Sequence, residues 1–176
     1  MANIFVKMKQ ASGLLNAGKR FCRDAAELQL INEKVAALEE VFDFAKEFVA
    51  FANHQTFSNV GDRLYFYLGV GNLNYKKVAD HFKVSPETVA SNVSYASTSI
   101  KSLFGAPINL LMDAEDVETV RVALLEFRAI RKSVVNPLGI PEISEELLKS
   151  VSKRKKINVG GITNAKNKSQ IIIPRV

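Results

Sequence analysis

The sequence predicts an all-α protein: a helical domain followed by a basic, flexible C-terminal tail. Three observations predict it. Apolar residues recur at steps of three and four over most of residues 25–134, the period of a helix face. Alternating, β-branched runs bounded by turn residues are few. The last two dozen residues change composition, with no acid, a Gly pair and several Asn, which is expected to remain disordered or extended.

The elements follow in order. Residues 1–23 form a basic N-terminal segment, with Lys7, Lys9, Lys19, Arg20 and Arg23 and no acid. From Asp24 the pattern turns helical, and Leu28, Ile31, Val35, Leu38, Phe42, Ala45 and Val49 mark one stripe. The second half, "VFDFAKEFVAF", is apolar on more than one face, as in a helix wedged between partners. Asn53, Ser58 and Asn59 are expected to break it. Asp62 is then read as the N-cap of a short apolar helix, "GDRLYFYLGVG", that stops at Gly69 or Gly71. Asn74 would cap "YKKVADHF". Ser85 precedes Pro86, the favoured order of N-cap and first helical residue. The helix after it is expected to run to about Leu103 and to end at Gly105 and Pro107. Asp113 would cap a helix over 114–134, closed by Pro137. Residues 136–152 read as a linker and a short helix from Ser144, and residues 153–176 as a basic tail. The organisation is thus 1–23, a helical domain 24–135 with its central unit at 75–104, 136–152 and 153–176.

Charge is unevenly placed. The net charge is +6, from 24 Lys and Arg against 18 Asp and Glu. The basic N-terminal segment is matched by Lys153, Arg154, Lys155, Lys156, Lys166, Lys168 and Arg175 at the other end, again without an acid. Residues 24–152 therefore carry a net negative charge. Basic ends on a folded body suit a polyanion held through its phosphates.

Several classes fit poorly. The single cysteine, Cys22, cannot form an internal disulfide, which agrees with a reducing compartment. Two separated histidines, His54 and His81, with no CxxC or HxxH spacing, argue against a zinc site. No cofactor is expected. No apolar run reaches the ~18 to 20 residues of a membrane span. Lys7 and Lys9 interrupt the apolar start in a way that signal peptides avoid. A cytoplasmic, nucleoid-associated protein is expected, with no membrane partner. There is no GxxxxGK[ST], no GxSxG and no carboxylate pair beside a histidine, so an enzyme is not expected.

"VADHFKVSPETVASNV", Val78 to Val93, meets the demands of a helix-turn-helix. Ala79 is the small residue that lets two helices approach. Val84 is the apolar residue of the turn. Ser85-Pro86 starts the second helix cleanly, and Val89 and Val93 hold it down. "NYKKVADHFKVSPETVASNVSYASTSIKSLFG", Asn74 to Gly105, resembles the helix-turn-helix of region 4 of bacterial sigma factors and of related response-regulator output domains. Tyr75, Val78, Ala79, Val84, Ser85, Thr88, Val89, Ile100 and Leu103 carry the resemblance, over less than a fifth of the chain. It implies a sequence-specific DNA-binding transcription regulator that reads the major groove of double-stranded DNA with the helix 86–103. Thr88, Ser91, Asn92 and Tyr95 are the expected base-reading residues. Lys76, Lys77, Lys83, Ser85 and Lys101, with Lys153, Arg154, Lys155 and Lys156 of the tail, are the expected phosphate contacts. The chain departs from the family in having no Arg or Lys between Val89 and Ile100. One such helix buries little surface, so a homodimer is expected. RNA polymerase or another transcription protein is a further expected partner. Two rival readings are a protein-interaction module acting on that machinery and a nucleoprotein that coats DNA or RNA through its basic ends.

Overall fold

The computed structural model describes residues 3–56 and 58–135, and they form six α-helices with no strand among them. The fold is all-α. The expected linker, the helix from Ser144 and the basic tail lie outside the described residues. The described helices belong almost entirely to one unit, Met1–Ser133.

Helix α1 (Ile4–Gly18) occupies the segment set apart in the sequence as basic. It packs as part of the core: Ile4, Phe5 and Met8 are 2%, 0% and 1% exposed. Its cap explains how it is anchored. Asn3 Oδ1 accepts from Val6 N at 3.0 Å, while Asn3 Nδ2 donates to the hydroxyls of Tyr67 and Tyr75, each at 3.1 Å. One side chain thus closes α1 and ties it to two later helices. The helical domain therefore begins before Asp24. A 3-10 turn (Lys19–Phe21) leads out of α1.

Helix α2 (Ala25–Thr56) starts at a reciprocal cap. Glu27 N donates to Asp24 Oδ1 at 2.8 Å, and Glu27 Oε2 accepts from Arg23 N at 2.7 Å. From Val35 to Ala50 it is buried on several faces, as its composition predicts, because α1 and later helices surround it. The expected break at Asn53 does not occur. Asn53 Nδ2 donates to Val49 O at 2.7 Å, one turn back, so the amide is satisfied within the helix.

Helix α3 (Ser58–Leu68) starts earlier than predicted, and Asp62 lies inside it rather than at its cap. It stops at the predicted glycines. Gly71 N donates to Phe66 O at 2.7 Å, and a Cβ on Gly71 would lie 2.7 Å from that oxygen. Only glycine allows so close a return. Asn72 and Leu73 then take φ of 50° and 58°, which turns the chain into α4 (Tyr75–Phe82).

Helix α5 (Pro86–Asp113) runs ten residues past the predicted stop at Leu103, through Gly105 and Pro107. Packing overrides propensity here. Phe104, Ile108 and Leu111 are at most 1% exposed, and burying them outweighs the lost hydrogen bond at Pro107. Asp113 is therefore the end of α5, not the cap of the next helix. That role falls to Asp116, whose Oδ1 accepts from Thr119 N at 2.7 Å and whose Oδ2 accepts from the Thr119 hydroxyl at 2.9 Å. Helix α6 (Val117–Val135) follows.

Phe44 of α2 sits where the elements meet. Its ring lies 5.6 Å from Phe48, 5.4 Å from Phe104 and 5.5 Å from Phe127, the last two edge-on. Lys34 Nζ donates to Ala114 O at 2.7 Å, satisfying a carbonyl at the end of α5. Glu40 and Arg128 form a bidentate pair at 2.9 and 2.8 Å that fixes α6 on α2.

Candidate nucleic-acid interface

The stretch Tyr75–Val93 forms two helices across a short turn. Asn74 caps α4, its side chain accepting from Lys77 N at 3.1 Å. Val78 and Ala79 are buried, so the small residue sits where the axes approach. Lys83 takes the left-handed conformation, φ 55° and ψ 45°, and Val84 N returns to Ala79 O at 3.1 Å. This left-handed residue, not glycine, makes the turn. Ser85 Oγ then accepts from Thr88 N at 3.2 Å, and Pro86 begins α5. Val89 and Val93 are each 1% exposed.

The unit is braced from outside. Ile4 N donates to the buried Ser97 Oγ of α5 at 3.2 Å. Tyr67 stacks on Tyr75 at 5.2 Å, and burial pushes the Tyr67 phenol well above its ordinary pKa, so it stays neutral. Phe66 stacks on His81 at 4.3 Å and meets Phe82 edge-on at 5.6 Å. Helices α1 and α3 thus hold α4 and α5 as one body.

Thr88, Ser91, Asn92 and Tyr95 are spaced i, i+3, i+4 and i+7, so they share one stripe of α5. Thr88, Ser91 and Tyr95 are exposed, Tyr95 at 70%. Thr88 Oγ1 also lies 3.1 Å from Ser85 Oγ. Asn92 differs: it is half-buried and its Oδ1 accepts from Arg63 Nη1 of α3 at 3.5 Å. Arg63 Nε is buried with no hydrogen-bond partner. Sequence reasoning missed Arg63, which lies 29 residues from Asn92 in the chain and carries no local pattern that would link the two.

The expected phosphate contacts divide. Lys76, Lys83 and Lys101 are exposed. Lys77 is exposed too, but its Nζ donates to Val70 O at 2.9 Å. Ser85 is held in its capping bond. Lys101 is 13 residues past Thr88, about 20 Å along the axis at 1.5 Å per residue, and on a different flank of α5. Lys153, Arg154, Lys155 and Lys156 lie outside the described residues. Glu87 stands exposed in the first turn of α5. Its own backbone N–H and the Ser85 hydroxyl hold its carboxyl below the ordinary value, so it is ionised at the exposed start of the helix.

Beside the stripe lies a groove of about 640 Å³ between α2, α3 and α5. Phe48, Val49, Ala52, Val60, Ala96 and Leu103 give it apolar walls, and Asn53, Asn92, Tyr95 and Ser99 a polar edge. Among the described residues no group of three or more His, Cys, Asp or Glu is placed to hold a metal ion. None of their helices is long and apolar enough to cross a membrane. Comparison with protein-family models, with curated proteins and with solved structures finds no match to this chain.

Proposed function

We propose that this chain is a DNA-binding transcription regulator, not an enzyme, that lays the first turns of α5 in the major groove of double-stranded DNA. The observation that carries the reading is the α4–turn–α5 unit. A capped, exposed helix start, braced from behind by α1 and α3, is what groove entry requires. Thr88, Ser91 and Tyr95 supply hydroxyls to base edges or phosphates. Asn92 works differently from a free asparagine. Arg63 Nη1 approaches its Oδ1 at 3.5 Å, which orients the amide and leaves both Nδ2 donors and the second oxygen lone pair for a base edge. The two-point pairing with adenine therefore stays available, beside a single bond to an acceptor such as guanine O6 or thymine O4.

Lys76 and Lys83, both exposed, would supply phosphate contacts at the rim, with Lys153–Lys156 adding sequence-independent affinity. A homodimer would present two reading helices to two half-sites, and such a regulator would reside with the nucleoid. A second reading, a module that binds RNA polymerase or another transcription protein, is favoured by the apolar groove beside the exposed Tyr95.

Selection from a random duplex pool, with sequencing of the bound fraction, tests the proposal. An enriched motif that changes at one position in Asn92→Ala, and again in Arg63→Ala, is the expected result. Binding with no motif, abolished by removing residues 153–176, would make the chain a coating nucleoprotein. No binding would leave the protein-contact reading.

A further inference from the structure

Helix α6 buries one face and leaves the opposite one open. Val120, Ala123 and Phe127 are 2%, 1% and 1% exposed. On the far side Glu118, Val122, Leu125, Ala129 and Lys132 are all exposed, Val122 at 41% and Leu125 at 64%. They step by four, three, four and three, the spacing of a seam between two helices, and fall within a sector of about 80°.

The order of that stripe is symmetric about Leu125. An acid, Glu118, stands seven residues before it, and a base, Lys132, seven residues after it. Each charge is about 10 Å from Leu125 along the axis. A second α6 laid antiparallel, with the two Leu125 side chains on a two-fold axis, brings Glu118 of each copy opposite Lys132 of the other. The apolar centre then packs Val122 near Ala129. A parallel pair would set Glu118 on Glu118 and Lys132 on Lys132. Charge complementarity therefore selects one occupant and one direction.

The neighbouring ions leave this pair free to form. Arg128 is engaged by Glu40 at 2.8 Å, and Arg121 reaches Glu33 at 3.5 Å, so both are drawn towards α2. Glu118 has only a 3.8 Å approach from Arg121, and Lys132 has no ion pair among the described residues. One feature opposes the pairing: Glu126, next to Leu125, would meet its own copy near the axis.

We infer that the outer face of α6 joins two copies of this chain in an antiparallel, isologous dimer. The inference gives the proposed dimer its surface but does not rest on DNA reading, because it is tested without DNA.

The measurement is the mass of the full chain by light scattering, from about 1 to 100 µM, where associations of micromolar strength are visible. The wild type should pass from monomer to dimer, and Leu125→Glu should stay monomeric with unchanged helical circular dichroism. Glu118→Lys or Lys132→Glu alone should raise the dissociation constant about tenfold, since the symmetry removes two pairs and adds two repulsions. The double exchange should restore it to within about twofold, and Glu126→Gln should tighten it. A wild type that is monomeric throughout, single reversals without effect, or a double exchange no better than the singles would overturn the inference. A dimer that selects no DNA motif would sink only the DNA reading.

Discussion

Lys83 shows how one residue can carry two demands. Its φ of 55° makes the turn between α4 and α5 possible, yet a side chain at that angle costs about 1–2 kcal/mol that glycine does not incur. Glycine loses more backbone entropy on folding, about 0.5–1 kcal/mol, so the balance is small and positive. Lys83→Gly is expected to stabilise the fold by about 0.5 kcal/mol in urea denaturation while weakening DNA binding at low salt. A stabilised variant with unchanged DNA affinity would remove Lys83 from the phosphate contacts. A destabilised one would show that the lysine does more in the turn than its conformation explains. Asn92 makes a related point. Its half-burial and its bond to Arg63 orient its amide, which the residue type alone does not disclose.

At the scale of elements, α5 joins the candidate interface to the core. Its first turns carry the exposed stripe, and its last turns carry Phe104, Ile108 and Leu111 into the cluster around Phe44. Phe104→Ala should cost about 3–5 kcal/mol, a large share of the ~5–15 kcal/mol that a domain of this size possesses. A loss below about 1 kcal/mol would place the centre of the core elsewhere. The packing of α6 on α2 has a pH signature. The Arg128 hydrogen bonds, and then its charge, hold the Glu40 carboxyl below its ordinary value of 4.5. A carboxylate with a lowered folded pKa stabilises the fold above its unfolded pKa, and that contribution disappears as pH falls through the folded value. The pair is half-exposed, so its worth is about 0.5 kcal/mol after screening. Glu40→Gln should therefore lose about that much at neutral pH, and the gap should close in acid, below the folded value. An equal gap at both pH values would assign the loss to packing instead. Burial pushes Glu47 in the other direction, above its ordinary value, so its contribution is fullest in acid and declines as pH rises.

For the whole molecule, the proposed DNA reading divides affinity between the helical unit and the tail. α5 has no cation between Val89 and Ile100, and Glu87 is ionised at its start. Under that proposal, non-specific affinity should come mainly from cations away from the candidate stripe. Removing residues 153–176, with seven basic residues and no acid, should flatten the dependence of log K on log salt by about 0.9 for each phosphate that the tail had neutralised. The selected motif should be unchanged. A truncated chain with the same slope would show that the tail binds no phosphates.

How much of this was legible in the sequence differs between elements. The all-α class, the core stripe of α2 from Val35 onward, the stop at Gly69–Gly71 and the Ser85-Pro86 start of α5 were readable there, because helical period, caps and glycines act within a few residues, whereas Leu28 of the same stripe is 39% exposed. Where the reading failed, distant packing had outweighed a local signal. Asn53 and Pro107 look like helix breaks, but the Asn53 amide bonds back to Val49 O, and Phe104 and Ile108, on either side of Pro107, are buried. The basic segment 1–23 reads as separate from the helical domain, but Asn3 binds Tyr67 and Tyr75 and makes its helix a brace. Asp113 and Asp62 look like caps, but the helices begin elsewhere. Of the candidate stripe, spacing alone set Thr88, Ser91, Asn92 and Tyr95 on one face. The sequence by itself thus determined the helical class, the Gly69–Gly71 stop and the Ser85-Pro86 start, and which residues share a face. The tertiary structure alone decided that Arg63 meets Asn92, that α1 supports α5, and that Val122 and Leu125 of α6 stand exposed among the described residues. Those outcomes depend on residues far apart in the chain becoming neighbours, and no local pattern encodes that.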